Sequence, residues 1–424
     1  MSLGLLFFTQ GFTMALLDDD NAIEAITANR SAHYEPMGWH HWPEHPWLSY
    51  QFRRGLGETQ EGGGAVSEVF LAASRMIPGD LESWHAEWKR IADFNWERGL
   101  AEEQKGHIRT AMNCVLRAAD YYRQAEFHLE PKDPRRLPTF EKMEACSHKF
   151  LQYLNPPGEI VEIPYENGVS LCGYFVRAPF PGDRLPVLIC MGGLDSIKDE
   201  MWFMQAHGCL QRGISVLMVD MPGQGGTLRR HGVVNRVDTE APVGKCIDWL
   251  VARDDVDPAR IAVCGSSLGG YYSARAGCYE HRLAACISHG AIWSITDIWG
   301  GKGEDFGLAM HIKWVFGTPT MKAAMEKAEP FTLEGHLEHM RCPYLVLHGG
   351  HDVLTVSASR KTYDYAIAHG VNATLRLTDE NETGAEHCQH DNPTIGQEIL
   401  ADWLADVFKI DQRALLKTGW NGLI

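Results

Sequence analysis

The sequence around one serine, which is flanked by glycines, is the part of this chain that most clearly indicates catalysis. The segment IAVCGSSLGGYY contains an apolar run, then Gly265-Ser266-Ser267-Leu268-Gly269, then residues typical of a helix. The spacing G-x-S-x-G between a strand and a helix predicts a strained turn that lifts the hydroxyl of its middle serine above a sheet. Ser267, not Ser266, is that middle serine, and we predict it as a nucleophile. The alternative is an ordinary turn between a strand and a helix.

The serine hydroxyl needs a base, and the base needs a carboxylate that orients it. After a G-x-S-x-G turn these partners follow in the order carboxylate, then histidine. Asp352 comes just after the apolar run PYLVLHG, at the strand end where sheet enzymes place working groups. His387 and His390 follow the next run, ATLRLTD; we predict His387 as the base because it comes sooner, and His390 as a supporting or helix-capping residue. His348 and His351 are expected to be structural.

An attacked carbonyl also needs donors for its developing negative charge. One is expected to be the backbone N–H of Leu268, next to the predicted nucleophile. The other is expected from the loop Gly192-Gly193-Leu194-Asp195 after the run PVLICM, where two glycines let the backbone approach a substrate. The amide of either Leu194 or Gly193 supplies it. The turn DMPGQG after the following run is predicted to be structural.

Two sequence patterns along the chain indicate the elements that position these residues. The first is helical, as in HIRTAMNCVLRAADYY, where apolar residues recur at helical spacing. The second consists of short runs separated by helix-length stretches: EIVEIPY, SLCGYFVRA, PVLICM, ISVLMVD, IAVCG, AACIS, PYLVLHG and ATLRLTD. Continuous apolar runs of this kind are typical of a parallel sheet covered by helices on both faces. We therefore predict an α/β fold with a mostly parallel sheet, preceded by a helical domain.

The boundary between the two sequence patterns predicts the domain organisation. Residues 1–64 are expected to form a partly irregular N-terminal extension, residues 65–155 a helical domain, and residues 156–424 the α/β domain. The interval 291–336 is long for a connection between two strands and contains three tryptophans. We predict that it adds helices near the site.

Composition excludes several classes of function. The chain has 424 residues and a formal net charge of −16, which disfavours nucleic acid or an anionic membrane as a partner. Its 11 cysteines include no C-x-x-C pair and are expected to be free thiols in a reducing compartment. The apolar start MSLGLLFFTQGFTMALLDDD lacks a basic region and is too short to span a bilayer. We expect a cytoplasmic protein without a membrane anchor; whether Met14 is the natural start stays open.

Aromatic, acidic and histidine residues outside these motifs have two interpretations each. Trp84 and Tyr122 either line an aromatic substrate pocket or belong to a core, because the aromatic residues of their helices recur at helical spacing. Trp293 of the interval 291–336 is a further candidate for contact with the substrate. Asp297 either supplies an acid near the substrate or caps a helix. The histidines of the run HHWPEHPW are too few for a zinc site, and we expect neither a metal nor a cofactor.

The motifs together resemble a known family. The strings GGLDSIKDE, VDMPGQGGT, GSSLGG and HGGHD…AEHCQH are similar to those of the 2,6-dihydroxypseudooxynicotine hydrolase family, with the fermentation-respiration-switch proteins and fungal polyketide-shortening enzymes. The resemblance covers roughly residues 80–410. It implies an α/β-hydrolase core with an N-terminal helical cap, a substrate between them, and a homodimer. It also implies a catalytic triad that falls on Ser267, Asp352 and His387.

The resemblance implies one of two reactions on a small, aromatic or polyketide-like molecule. The first is cleavage of a carbon–carbon bond beside a ketone, in a β-diketone-like or acyl-aromatic substrate, through an acyl-enzyme. The second is hydrolysis of an ester or lactone with the same three residues. A binding protein without catalysis is a third class, and the intact set of three residues disfavours it.

Overall fold

The computed structural model describes residues 41–352, 355–379 and 381–418. One eight-stranded sheet forms its centre, with the strand order β1-β2-β4-β3-β5-β6-β7-β8. Strand β2 pairs antiparallel with β1 and β4, and the remaining pairs are parallel, which confirms the predicted mostly parallel sheet. The strands are β1 (Glu159–Pro164), β2 (Ser170–Val176), β3 (Leu185–Met191), β4 (Ser215–Val219), β5 (Val256–Ser266), β6 (Ala285–His289), β7 (Tyr344–Gly349) and β8 (Ala373–Thr378).

Both faces of the central strands are covered, as their unbroken apolar sequences predict. Every residue of β3, β4, β6 and β7 is buried. Successive side chains of a strand point to opposite faces. Accordingly, Val187 and Ile189 of β3 belong to one hydrophobic core, while Leu188 and Cys190 belong to the core on the other face.

Helices precede the sheet, cover its faces and follow it. The α-helices of the described residues are α1 (Pro46–Glu58), α2 (Val66–Ala73), α3 (Leu81–Gln104), α4 (Ile108–Phe127), α5 (Arg136–Tyr153), α6 (His207–Leu210), α7 (Gly225–His231), α8 (Glu240–Val251), α9 (Leu268–Tyr279), α10 (Ile295–Trp299), α11 (Ala309–Phe316), α12 (Met321–Ala328), α13 (Val356–Ala368), α14 (Pro393–Val407) and α15 (Gln412–Leu416). None of the helices in the described residues is long and apolar enough to cross a membrane.

The helical part has its own apolar core. Trp84 and Trp88 of α3 pack with Tyr121 of α4 and Phe140 of α5 in this core. The described helices begin at Pro46, inside the stretch for which the sequence indicated a partly irregular extension. Proline fixes the backbone in a conformation that suits the first turn of a helix, so its position explains where α1 begins.

Between β6 and β7 the chain forms the short helices α10, α11 and α12, within the interval where the sequence predicts inserted helices.

The cysteines are unpaired, as the sequence predicts. All 11 lie in the described residues as free thiols, and ten of them are buried.

Candidate active site

Ser267 occupies a strained turn between β5 and α9. Its backbone has φ 57° and ψ −118°, a left-handed conformation that costs a residue with a side chain free energy. The Ser267 amide donates a hydrogen bond of 2.8 Å to the carbonyl oxygen of His289, which holds the turn against β6. A side-chain carbon on Gly265 would overlap the carbonyl of Gly269, and one on Gly269 would overlap the carbonyl of Gly192. The glycines therefore provide the close backbone crossing that the turn requires.

The three side chains predicted as catalytic meet in a hydrogen-bonded row. Ser267 Oγ lies 2.8 Å from His387 Nε2, and His387 Nδ1 lies 2.5 Å from Asp352 Oδ2. Asp352 follows β7, and His387 begins a short 3₁₀ turn after β8. A histidine between a hydroxyl and a carboxylate has the geometry of a general base that is oriented by an acid.

The Asp352 carboxylate accepts hydrogen bonds from more than one histidine. Its Oδ2 atom also lies 2.9 Å from His348 Nε2 and accepts a hydrogen bond from the Thr355 hydroxyl. Ser359 Oγ is 2.6 Å from His348 Nδ1, so the second histidine is itself held in place. Burial raises the pKa of Asp352, but His387 and His348 outweigh it and hold this pKa well below its usual value. His348, predicted only as structural, thus helps to keep the carboxylate ionised.

The environment of His387 favours its protonated form. Burial lowers the pKa of His387, but the neighbouring Cys388 and the Asp352 carboxylate raise it, and the net direction is well above the ordinary value. The side chain remains 26% exposed, on the side of a cavity that also reaches Ser267. His387 can therefore carry a proton while it faces a bound molecule.

Ser266, the other serine of the turn, makes different contacts. Its hydroxyl lies 2.7 Å from Gln205 Nε2 and 3.2 Å from His289 Nδ1 in the buried interior. His289 Nε2 is in turn 2.5 Å from Gln389 Oε1. Ser266 thus belongs to a buried polar row behind the turn, which agrees with the prediction that Ser267 is the middle residue of the motif.

The loop after β3 passes directly over the candidate nucleophile. A side-chain carbon on Gly193 would lie 2.9 Å from Ser267 Cβ and 3.5 Å from the amide nitrogen of Leu268. Gln224 Nε2 donates hydrogen bonds to the carbonyls of Gly192, at 2.5 Å, and Gly193, at 3.0 Å. Gly193 therefore lies beside Ser267 and the Leu268 amide, Leu194 lines the same cavity as Ser267, and Gln224 of the DMPGQG turn holds the loop of Gly193 and Leu194.

A cavity of about 420 Å³ opens beside Ser267 and His387. Its size suits a small organic molecule, and its lining is mostly apolar. Helix α1, the loop after β3 and the helices inserted after β6 supply its walls. The lining outside the catalytic row includes Trp47, Tyr50, Arg53, Arg54, Leu194, Asp195, Met201, Met204, Ile292, Ile298, Trp299, Phe306, Leu308, His351, Glu386 and His390.

The four side chains named as substrate-binding candidates lie outside the lining of this cavity. Trp84 and Tyr122 are buried in the helical core, and Trp293 is only 2% exposed in the core of the α/β part. Asp297 is 56% exposed and 3.8 Å from Lys361 Nζ. Helical spacing turns Trp84 and Tyr122 toward a core, Trp293 is buried in the irregular segment just before α10, and Asp297 faces solvent.

The aromatic wall comes instead from residues that the sequence did not single out. Trp47, Tyr50 and Arg54 lie at positions i, i+3 and i+7 of α1, so one face of this helix covers the cavity. That spacing, after a proline at the first helical position, was the signal available in the sequence. Trp299, one of the three tryptophans in the interval predicted to lie near the site, completes the wall together with Ile298.

One group among the described residues has the composition of a metal site. Ligand atoms of His348, Asp352 and His387 lie within 4.8 Å of one another. An ion bound there would have to replace the hydrogen bonds from both histidines to Asp352 Oδ2. We therefore interpret the group as a hydrogen-bond network.

The sheet order and the turn after β5 define an α/β hydrolase. A family model described as esterase FrsA-like matches residues 79–300, and a prolyl oligopeptidase family model matches residues 202–411. The chain is 32% identical over 342 residues to 20-hydroxy-prefusarin hydrolase FUS2 of Gibberella moniliformis, covering 70% of this chain and 81% of that protein. It is 30% identical over 348 residues to hydrolase acrC of Aspergillus aculeatus, with the same coverage of 70% and 81%.

A solved structure shows the same architecture. The crystal structure of 2,6-dihydroxy-pseudo-oxynicotine hydrolase aligns with a TM-score of 0.70 and 27% identity, over 83% of this chain and 95% of that one. The chain belongs to the FrsA-like esterase family, and it is a hydrolase of the α/β fold. The resemblance predicted from the motifs is thereby confirmed.

Proposed function

We propose that this protein is a serine-dependent hydrolase that cleaves a carbon–carbon bond beside a ketone, through an acyl-enzyme on Ser267. The observation that carries the proposal is the 2.8 Å contact between Ser267 Oγ and His387 Nε2 beside a mostly apolar cavity. The aromatic wall of that cavity suits an acyl-aromatic or polyketide-like ketone. Similarity to hydrolases named for 20-hydroxy-prefusarin and 2,6-dihydroxy-pseudo-oxynicotine supports a substrate of this class.

In the proposed reaction His387 accepts the hydroxyl proton as Ser267 Oγ bonds to the carbonyl carbon. Asp352 holds the imidazole in the required tautomer and stabilises its cation. The amides of Leu268 and of Leu194 or Gly193 donate to the resulting oxyanion. The same steps apply to an ester until the tetrahedral intermediate collapses.

The collapse distinguishes the two candidate reactions. For a β-diketone, the bond between the carbonyl carbon and its neighbouring carbon breaks, and its electron pair becomes an enolate. His387 returns its proton to that carbon, which releases a ketone. Water, activated by His387, then hydrolyses the acyl-enzyme to a carboxylic acid. For the alternative, a carboxylesterase or lactonase, an alkoxide leaves instead.

Product analysis separates these reactions. The enzyme is incubated with benzoylacetone, a β-diketone, and with phenyl acetate, an aryl ester. We expect one molecule of acid and one of ketone for each benzoylacetone consumed. Rapid release of phenol with no cleavage of benzoylacetone would contradict carbon–carbon cleavage and favour the esterase. From the family resemblance we further propose a homodimer, and from the sequence a cytoplasmic location. The molar mass in solution tests the oligomeric state.

The acid limb of the pH–rate profile is expected to have an unusual midpoint. His387 must be unprotonated to accept the Ser267 proton, and its pKa is raised, so kcat/KM falls as the pH falls through that pKa. We expect the midpoint to lie above about 6.5, the ordinary pKa of histidine. The measurement is kcat/KM for phenyl acetate across the pH range, corrected for spontaneous hydrolysis. A midpoint below the ordinary value would contradict the proposed coupling of His387 to Asp352.

A further inference from the structure

A second polar group lines the cavity in addition to the serine, histidine and aspartate. Tyr50 of α1 and His390 have ring centroids 6.2 Å apart, with their planes nearly perpendicular. The His390 ring lies 6.5 Å from the ring of His387, so the group adjoins the reacting atoms. Within the described residues, no side chain hydrogen-bonds to the Tyr50 hydroxyl, and His390 Nδ1 is buried without a partner. The Tyr50 side chain is half-buried at the cavity wall, and a molecule bound in the cavity can supply a partner for the buried His390 Nδ1 atom.

Helix α1 is fixed against the loop that is expected to form the oxyanion hole. Arg54 has a side chain only 3% exposed, and it lies one turn beyond Tyr50 on α1. Its guanidinium donates a 3.0 Å hydrogen bond to the Asp195 carboxylate and a longer one, 3.3 Å, to the Ser196 hydroxyl. Because Asp195 directly follows Leu194, this buried ion pair sets the position of Tyr50 relative to the attacked carbonyl.

The same helix also contacts the turn that carries His390. A side-chain carbon on Gly57 of α1 would overlap the carbonyl oxygen of His390, so the two backbones touch there. Trp47 lies on the other side of Tyr50, with ring centroids 5.8 Å apart and planes at 24°. Tyr50 is therefore held between an aromatic ring and His390, with little freedom to turn away.

Burial sets the protonation of both groups. It raises the pKa of Tyr50 well above the ordinary value, against the opposing effect of Arg54, so the phenol keeps its proton. Burial, followed by the charge of Arg54, holds the pKa of His390 well below the ordinary value. The cavity thus offers a neutral hydroxyl donor beside a neutral imidazole.

On the basis of the proposed serine-dependent function, we propose that Tyr50 determines specificity for β-diketones by donating a hydrogen bond to the second carbonyl oxygen. When the bond to the attacked carbonyl breaks, its electron pair moves onto that second carbonyl and makes an enolate oxygen. The Tyr50 hydroxyl donates to this oxygen, while His387 delivers the proton to carbon. The Tyr50 hydrogen bond is strongest when the charge is greatest, so it accelerates the cleavage.

The test compares two leaving groups in one variant. Tyr50→Phe removes the hydroxyl and keeps the ring against Trp47. We expect kcat for benzoylacetone to fall by about 10²-fold, the effect of losing one donor to a developing negative charge. For phenyl acetate we expect kcat to stay within about threefold, because phenolate leaves without a second donor. Turnover of the ester shows that the variant is folded.

Tyr153→Phe is the matched control. Tyr153 ends α5, lies beside Glu103 and Lys149, and does not line the cavity. This variant is expected to retain both activities. An equal loss on both substrates in Tyr50→Phe, or no loss on benzoylacetone, would overturn the role of Tyr50 and leave the serine mechanism intact. A wild-type enzyme that hydrolyses only the ester would overturn the carbon–carbon assignment and the role of Tyr50 with it.

Discussion

Ser267→Ala is expected to lower kcat by about 10⁴-fold or more, with little change in KM. The substitution removes the only protein atom that is proposed to form a covalent bond with the substrate, whereas the cavity that binds the substrate is unchanged. Alanine has to adopt the same left-handed backbone conformation, with φ 57°. The close backbone crossing at the glycines on either side is unchanged, so we expect the turn to keep its shape. The measurement is steady-state kinetics with phenyl acetate, accompanied by mass spectrometry after treatment with a fluorophosphonate.

The neighbouring serine provides a matched control for this experiment. Ser266→Ala removes a hydroxyl of the same type one residue earlier, where the hydroxyl bonds to Gln205 and His289 in the interior. Wild-type protein and Ser266→Ala are expected to gain one phosphonyl group each, located on Ser267 by peptide mapping. Ser267→Ala is expected to gain none. A phosphonyl group on Ser266, or substantial activity in Ser267→Ala, would contradict the assignment of the nucleophile.

The sheet and the three catalytic candidates could be predicted because their signals are local. Unbroken apolar runs such as that of β3 identify strands buried on both faces. The order of serine, carboxylate and histidine follows from the order of the strands, since parallel strands end at the same edge of the sheet. Even the choice of Ser267 over Ser266 depends on a five-residue spacing alone.

The cavity could not be predicted in the same way. Periodicity shows which face of a helix is buried, but it does not show what covers that face. Trp84 and Trp88 recur at helical spacing, as Trp47 and Tyr50 do, yet the first pair is packed into a core and the second pair faces a cavity. The difference arises from contacts between elements distant in the chain, such as Arg54 with Asp195.

His348 illustrates a related limit. It is the penultimate residue of β7, four residues before Asp352, and the sequence favoured a structural role. Its imidazole reaches the carboxylate only because the chain turns sharply after β7 and Thr355 closes the turn on the same oxygen atom. Such a contact depends on the geometry of one loop, which composition and spacing do not specify.

Asp352→Asn is the second substitution with a large expected effect, a loss of about 10⁴-fold in kcat. An amide that presents its NH₂ group to His387 donates to Nδ1, where the carboxylate accepted a hydrogen bond. The imidazole then holds its proton on Nε2, which faces Ser267 Oγ at 2.8 Å and can no longer act as a base. The measurement is kcat for phenyl acetate at a pH above the acid limb of the wild-type enzyme, together with a thermal melt.

Asp297→Asn is the matched control, because the sequence left this residue open as an acid near the substrate. Its carboxylate is more than half exposed and pairs with Lys361, outside the lining of the cavity. We expect its activity on both benzoylacetone and phenyl acetate to stay within about threefold, since exposed ion pairs contribute little. A large loss on benzoylacetone alone in Asp297→Asn would indicate that Asp297 of α10, and not His387, protonates the carbon.

A loss below about tenfold in Asp352→Asn would contradict the proposed role of Asp352. It would mean that His348 and Thr355 orient His387 without the carboxylate, contrary to the short contact between Asp352 and His387.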